Sequence, residues 1–136
     1  MKRLCYILKK IFSKKQPTYA EKIGKMGEDA TVKYLKNKGL KIIARNWRSG
    51  KNEIDIICKD GDVLVFVEVK TRKSSAVVGG YFAGVQKGKK NAVKTAAKDY
   101  MRILKKRPNN WRFDVVAVEH NNTDDALKIH HYENVY

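Results

Sequence analysis

The step Asp60-Gly61 lies between two runs rich in strand formers, Glu53 to Lys59 and Asp62 to Thr71, and an aspartate-glycine pair so flanked signals a tight β-hairpin. A turn centred on those two residues sets Asp55 opposite Phe66 and Glu53 opposite Glu68. Alternation then places Glu53, Asp55 and Ile57 on one face with Leu64, Phe66, Glu68 and Lys70. Ile54, Ile56, Cys58, Val63, Val65, Val67 and Val69 take the other. Both faces begin apolar, so both must be covered, which restricts the chain to a sheet packed on two sides.

Around the hairpin the pattern reads α-β-β-β-α-β-β. Thr18, with Glu21 three residues on, opens a first helix whose stripe is Ile23, Met26, Gly27, Ala30 and Tyr34 and whose stop is Gly39. Leu40 to Trp47 is a strand, followed by turn residues Ser49-Gly50-Lys51-Asn52. Residues 72–84 lack periodicity and read as a loop. A second helix runs from about Val85 to Arg107, buries Val85, Ala92, Val93, Ala96, Tyr100, Ile103 and Leu104, and is closed by Pro108. Trp111 to Glu119 and Ala126 to Tyr132 are two further strands. The expected class is α/β, a mixed sheet flanked by helices. The expected organisation is a basic amphipathic segment over residues 1–17 and one domain over 18–136.

Charge narrows the partners. Lys and Arg number 30 against 14 Asp and Glu, a formal +16 with pI near 9.9. Residues 1–17 hold six of those cations and no acid, so most of the charge belongs to the domain. A polyanion is the expected partner. The N-terminal stripe Leu4, Ile7, Leu8, Ile11 and Phe12 could lie on lipid, on nucleic acid or on the domain itself. The longest apolar run, Val63 to Val67, is too short to span a bilayer, and Leu4 to Leu8 is too short for a secretory signal. Cys5 and Cys58 have no paired spacing, so neither a disulfide framework nor a thiolate metal site is indicated. A cytoplasmic location is expected.

The hairpin also carries the chemistry. Glu53, Asp55 and Glu68 beside an apolar floor must be neutralised by protonation, by lysine or by a divalent cation. Hard oxygen donors at this density suit magnesium or manganese. An ion held by Asp55 and Glu68 polarises a phosphoryl oxygen and acidifies a bound water, and Lys70 on the same face can orient that water and stabilise developing charge. This is phosphodiester hydrolysis. The same residues also suit solvated positions of a half-exposed sheet, although Leu64 and Phe66 between the charges argue for a covered face.

Lys87, Lys94, Lys98 and Lys105 form a basic stripe opposite the apolar side of the second helix, suited to phosphate contact or simply to solvent. Lys89 departs from the stripe toward the apolar side, where it needs a carboxylate or a phosphate. Lys87, Lys89, Lys90, Lys94 and Arg72 are the candidate substrate contacts. Trp47, Arg48, Tyr81, Phe82 and Trp111 stand in or beside loops, where they could stack on bases or pack into the core. The histidines lie outside the cluster and receive no role.

Asp55, twelve intervening residues and Glu68-Val69-Lys70 resemble the core of the PD-(D/E)XK nuclease superfamily, with Glu53-Ile54-Asp55 in place of the proline-aspartate. Gly27-Glu28, Asn46, Glu53-Ile54-Asp55, Phe66 to Lys70, Lys89 and Arg112-Phe113-Asp114-Val115-Val116 together resemble the YraN-like bacterial family (uncharacterised protein family 0102), itself similar to archaeal Holliday junction resolvases. The likeness covers about residues 21–119. It implies a restriction-endonuclease-like fold, Asp55 and Glu68 as metal ligands, Lys70 as catalytic lysine and Glu28 completing the acidic cluster; it implies no assigned activity. Resolvase-like relatives act as symmetric dimers, so the analogy implies a homodimer. Asn52 replaces a usual glycine, and Lys90 replaces a glutamine.

Two functions follow from these residues: a magnesium-dependent nuclease acting on DNA, on branched or single-stranded intermediates, and a non-catalytic nucleic-acid-binding module of the same fold.

Overall fold

The computed structural model describes residues 15–73, 87–121 and 126–136. In chain order the elements are α1 (Tyr19–Asn37), β1 (Lys41–Ser49), β2 (Asn52–Asp60), β3 (Val63–Lys73), α2 (Lys87–Ile103), β4 (Asn110–His120) and β5 (Lys128–Tyr132). The expected α/β order is the observed one. The five strands form one sheet in the order β1-β2-β3-β4-β5. Only the β3–β4 pairing is parallel, as a crossover through α2 requires, and the other three are antiparallel. The N-terminal segment up to residue 14, and most of the expected loop with Tyr81 and Phe82, lie outside the described residues.

Local chemistry fixes α1 at both ends. Thr18 caps it and Glu21 reaches back to the Thr18 amide, a reciprocal pair that satisfies two free donors. At the other end Gly39 takes φ +91°, a conformation glycine adopts without penalty. The deepest line of α1 is Gly27, Thr31 and Leu35, adjacent to the expected stripe. Gly27 decides this, because a Cβ there would collide with the Thr71 side chain of β3.

The two faces of the sheet have separate cores. On the α1 face Leu35 and Leu40 pack with Ile56, Cys58, Val65, Val67, Val116 and Val118. On the α2 face Ile57, Leu64, Phe66 and Phe113 pack with Val93, Ala96, Ala97, Tyr100 and Met101. No helix among the described residues is long and apolar enough to cross a membrane.

Four expectations are corrected. The hairpin turn is Gly61-Asp62, with Asp60 paired to Val63, because Gly61 supplies the positive φ (+56°) at the first loop position. The register therefore moves by two residues, and its last pair, Ile56↔Val67, leaves Asp55, not Glu53, as the next residue toward Glu68. Second, Ile54 joins the α2-side core with Ile57, while Ile56 between them belongs to the α1 side, so alternation breaks at Asp55. Third, α2 ends at Ile103, four residues short of Arg107: Pro108 has no N–H to give the Leu104 carbonyl, its ring would clash there, and it bars Arg107 from helical geometry. Fourth, Ile103 is 68% exposed, and Ala97 and Met101 fill the core in its place.

Candidate active site

The break in alternation builds the site. Asn46 of β1 and Asp55 of β2 lie opposite each other, between the pairs Arg45↔Ile56 and Trp47↔Ile54. Asn46 has φ +48°, a left-handed conformation that asparagine tolerates better than most residues. Its side-chain amide donates to Glu28 Oε2 at 3.2 Å, which ties α1 to the sheet at this point. Across the hairpin the regular pairing of β2 with β3 ends at Ile56↔Val67. Just beyond it Asp55 Oδ2 accepts the Val69 N–H at 2.7 Å.

Three carboxylates are accommodated in three ways. Glu53 is on the rim, paired with Arg48 Nε at 2.8 Å. Asp55 has no ion-pair partner among those described, and its pKa is raised to about 6, chiefly by burial; the Val69 N–H and the Lys89 charge oppose the rise, and Glu68 and Glu28 add to it. Glu68 is 3% exposed, with Oε1 2.9 Å from Lys70 Nζ and 2.5 Å from Lys89 Nζ. Burial pushes its pKa up, but the two ammonium groups outweigh burial and hold the carboxyl below the ordinary range. Burial, reinforced by Lys89, depresses Lys70, whereas Glu68 outweighs burial at Lys89 and raises it.

Asp55, Glu68 and Lys89 line one cavity of about 400 Å³ with Lys51, Asn52, Glu53, Ile54, Val67, Ala92 and Val93. Glu28 does not line it and is turned toward Asn46 and Arg45, 3.7 Å from Arg45. Arg72 is exposed near the end of β3. Lys90 and Lys94 have their ammonium groups 5.4 and 5.7 Å from the Tyr136 ring centroid. α2 begins at Lys87, whose side chain is outside the described set.

Among the described residues no group of three or more His, Cys, Asp or Glu converges as a metal site. Asp55 and Glu68 share the cavity, and Glu68 Oε2 is buried with no hydrogen-bond partner among the described residues. Two hard carboxylates with room beside them suit magnesium, which commonly takes one or two carboxylates and completes its shell with water and phosphate.

Two features exceed what the sequence marked: Asp114 enters there only as part of the Arg112 to Val116 resemblance, and Tyr136 not at all. Asp114, fully buried, accepts from Arg112 Nε at 3.0 Å and from the Asn134 amide at 3.0 Å, with His131 Nε2 at 2.9 Å. That network anchors the C-terminal segment, and the Val135 N–H bonds to Phe113 O at 2.8 Å. Tyr136 then stacks on Phe113 with centroids 5.2 Å apart. Burial, then the Glu68 and Asp55 charges, push its hydroxyl pKa up. No local spacing signals a residue that reaches the site only through tertiary folding.

The family model that matches the chain is that of the uncharacterised protein family UPF0102, over residues 27–118. The chain belongs to UPF0102. The UPF0102 protein of Lawsonia intracellularis is 38% identical over 114 residues, covering 84% of each chain. That of Alkaliphilus oremlandii is 39% identical over 118 residues, 85% of this chain and 98% of its own. That of Chlorobium limicola is 43% identical over 96 residues, 71% and 74% respectively. The UPF0102 match takes in Glu28, Asn46, Asp55, Glu68, Lys70 and Lys89 and ends before Tyr136.

Proposed function

We propose that this UPF0102 protein hydrolyses phosphodiester bonds of DNA in a metal-dependent reaction, as a restriction-endonuclease-like nuclease acting on branched or single-stranded intermediates. The observation that carries the reading is the convergence of Asp55, Glu68 and Lys89 on one cavity, with Lys70 on the same Glu68 oxygen. Asp55 and Glu68 would hold a magnesium or manganese ion, which supplies Lewis-acid polarisation of the phosphoryl oxygen and acidifies water. Lys70 stands two residues beyond Glu68 on the same strand face, where its ammonium stabilises charge developing on the phosphate. Its depressed pKa eases proton exchange with the attacking water. Lys89 orients the substrate phosphate from α2. Asn46 and Val69 act indirectly, holding Glu28 and Asp55 in place.

Support also comes from the net charge of +16, which favours a polyanion. The test is cleavage of duplex, single-stranded and four-way DNA in magnesium by the wild type and by Asp55→Ala. Cleavage that needs the metal and is lost in the variant supports the reading. Binding of DNA with no cleavage of any of the three supports the binding module instead. A homodimer would place two cavities on a symmetric junction.

A further inference from the structure

We infer that one flank of α2 is a track for single-stranded nucleic acid, running from the carboxylate cavity to a base-stacking position at Trp111. The inference rests on the nucleic-acid reading above and specifies the form of the strand outside the cavity. Lys90, Lys94, Lys98 and Arg102 recur every four residues along α2, so they share a flank about 18 Å long at the helical rise. At its first end Lys90 and Lys94 lie over the ring of Tyr136, which stacks on Phe113 of β4. Trp111 stands two residues before Phe113 and so on the same face of β4. It is 40% exposed, with the Arg107 guanidinium 5.4 Å from its ring centroid. Between the two ends is a depression of about 460 Å³ lined by Lys98, Met101, Arg102, Leu104, Lys105 and Arg107, with no acid among them. The acid nearest to it on α2, Asp99, is engaged by Ser49 and Arg102.

A row of cations that runs from the half-buried Tyr136 to the exposed ring of Trp111 matches a strand whose phosphates follow the lysines and whose bases stack at the exposed end. Within duplex DNA the base faces are closed by their neighbours, so away from its ends it offers the tryptophan nothing to stack on. An unpaired strand does.

The test uses the full chain in EDTA, so that binding is read without cleavage, with a fluorescent oligothymidine of about twelve nucleotides and a blunt duplex of equal length. Trp111→Ala is expected to weaken oligothymidine binding about tenfold and leave duplex binding within about twofold. Trp111→Phe, which keeps a ring, retains most of the affinity. Lys98→Ala is expected to lower the salt slope of oligothymidine binding by about 0.7. Unchanged oligothymidine affinity in Trp111→Ala, or an equal loss on both probes, overturns the track. If the wild type binds neither probe, the nucleic-acid reading falls with it; if it cleaves DNA while Trp111→Ala binds normally, only the track falls.

Discussion

Asn46 faces Asp55 across the β1–β2 ladder at the point where both strands break their alternation, and the two side chains leave the ladder in different directions, one to Glu28 and the other to Val69. A polar cluster is placed inside a largely apolar sheet by this break. Had β2 alternated without interruption, Ile54 would lie on the α1 side instead of under α2 beside the cavity.

The left-handed Asn46 backbone gives the first expectation. Asn46→Val places a β-branched residue at φ +48° and is expected to destabilise the fold by about 1–3 kcal/mol. Asn46→Gly keeps the backbone and loses only the Glu28 contact. Urea denaturation of both variants checks the order: the valine variant unfolds at lower denaturant than the glycine one.

Asp55 makes stability depend on pH in a definite sense. Its folded pKa of about 6 exceeds the ordinary 3.8, so the folded state holds the proton more tightly. The stabilisation from protonated Asp55 is fully present below about 3.8 and is lost as pH rises through about 6, a total of about 3 kcal/mol for a shift of this size. In the absence of divalent ions Asp55→Asn, whose amide oxygen can still accept the Val69 N–H, is expected to be more stable than wild type at pH 7.5. The advantage shrinks toward pH 4. Denaturation at both pH values measures it.

Gly27 is expected to tolerate no side chain. In Gly27→Ala the new Cβ meets Thr71, one residue from Lys70, so α1 must retreat from β3. A loss of about 1–3 kcal/mol is expected from overpacking of this kind. Thr71→Ala in the same chain restores part of the melting temperature, whereas it lowers that of the wild type.

Asp114 anchors the C-terminal segment. Asp114→Ala leaves Arg112 and His131 without their buried carboxylate and is expected to cost about 3–5 kcal/mol. Burial raises the Asp114 pKa, but His131, Arg112 and the Asn134 amide outweigh it and hold the carboxyl below its ordinary 3.8. The stabilisation is therefore present above that value and fades as pH falls below it. Acid titration of the wild type followed by tryptophan fluorescence tracks the loss.

Element order, both ends of α1, the two covered faces and the approach of Lys89 to the carboxylates are legible in the sequence, because capping residues, turn glycines and period-two runs are local signals. The hairpin register is less so, since Asp60-Gly61 and Gly61-Asp62 are both plausible turns and only the backbone at Gly61 selects between them. The break at Asn46 and Asp55 is a property of two paired strands and leaves no mark on either alone. Glu53 belongs to the acidic set by alternation and Glu28 by the family resemblance, yet Arg45, Asn46 and Arg48 engage them, and those partners are chosen by tertiary geometry. His131 and Tyr136 reach their places through the Asp114 network, from the end of the chain.

The most direct test of a metal-holding pair at Asp55 and Glu68 is calorimetric titration of manganese into the folded wild type, Asp55→Asn and Glu68→Gln at pH 7.5. A single ion bound by the wild type and lost in both variants is the expected result. Manganese binding that is equal in all three proteins, or absent from the wild type, would contradict it.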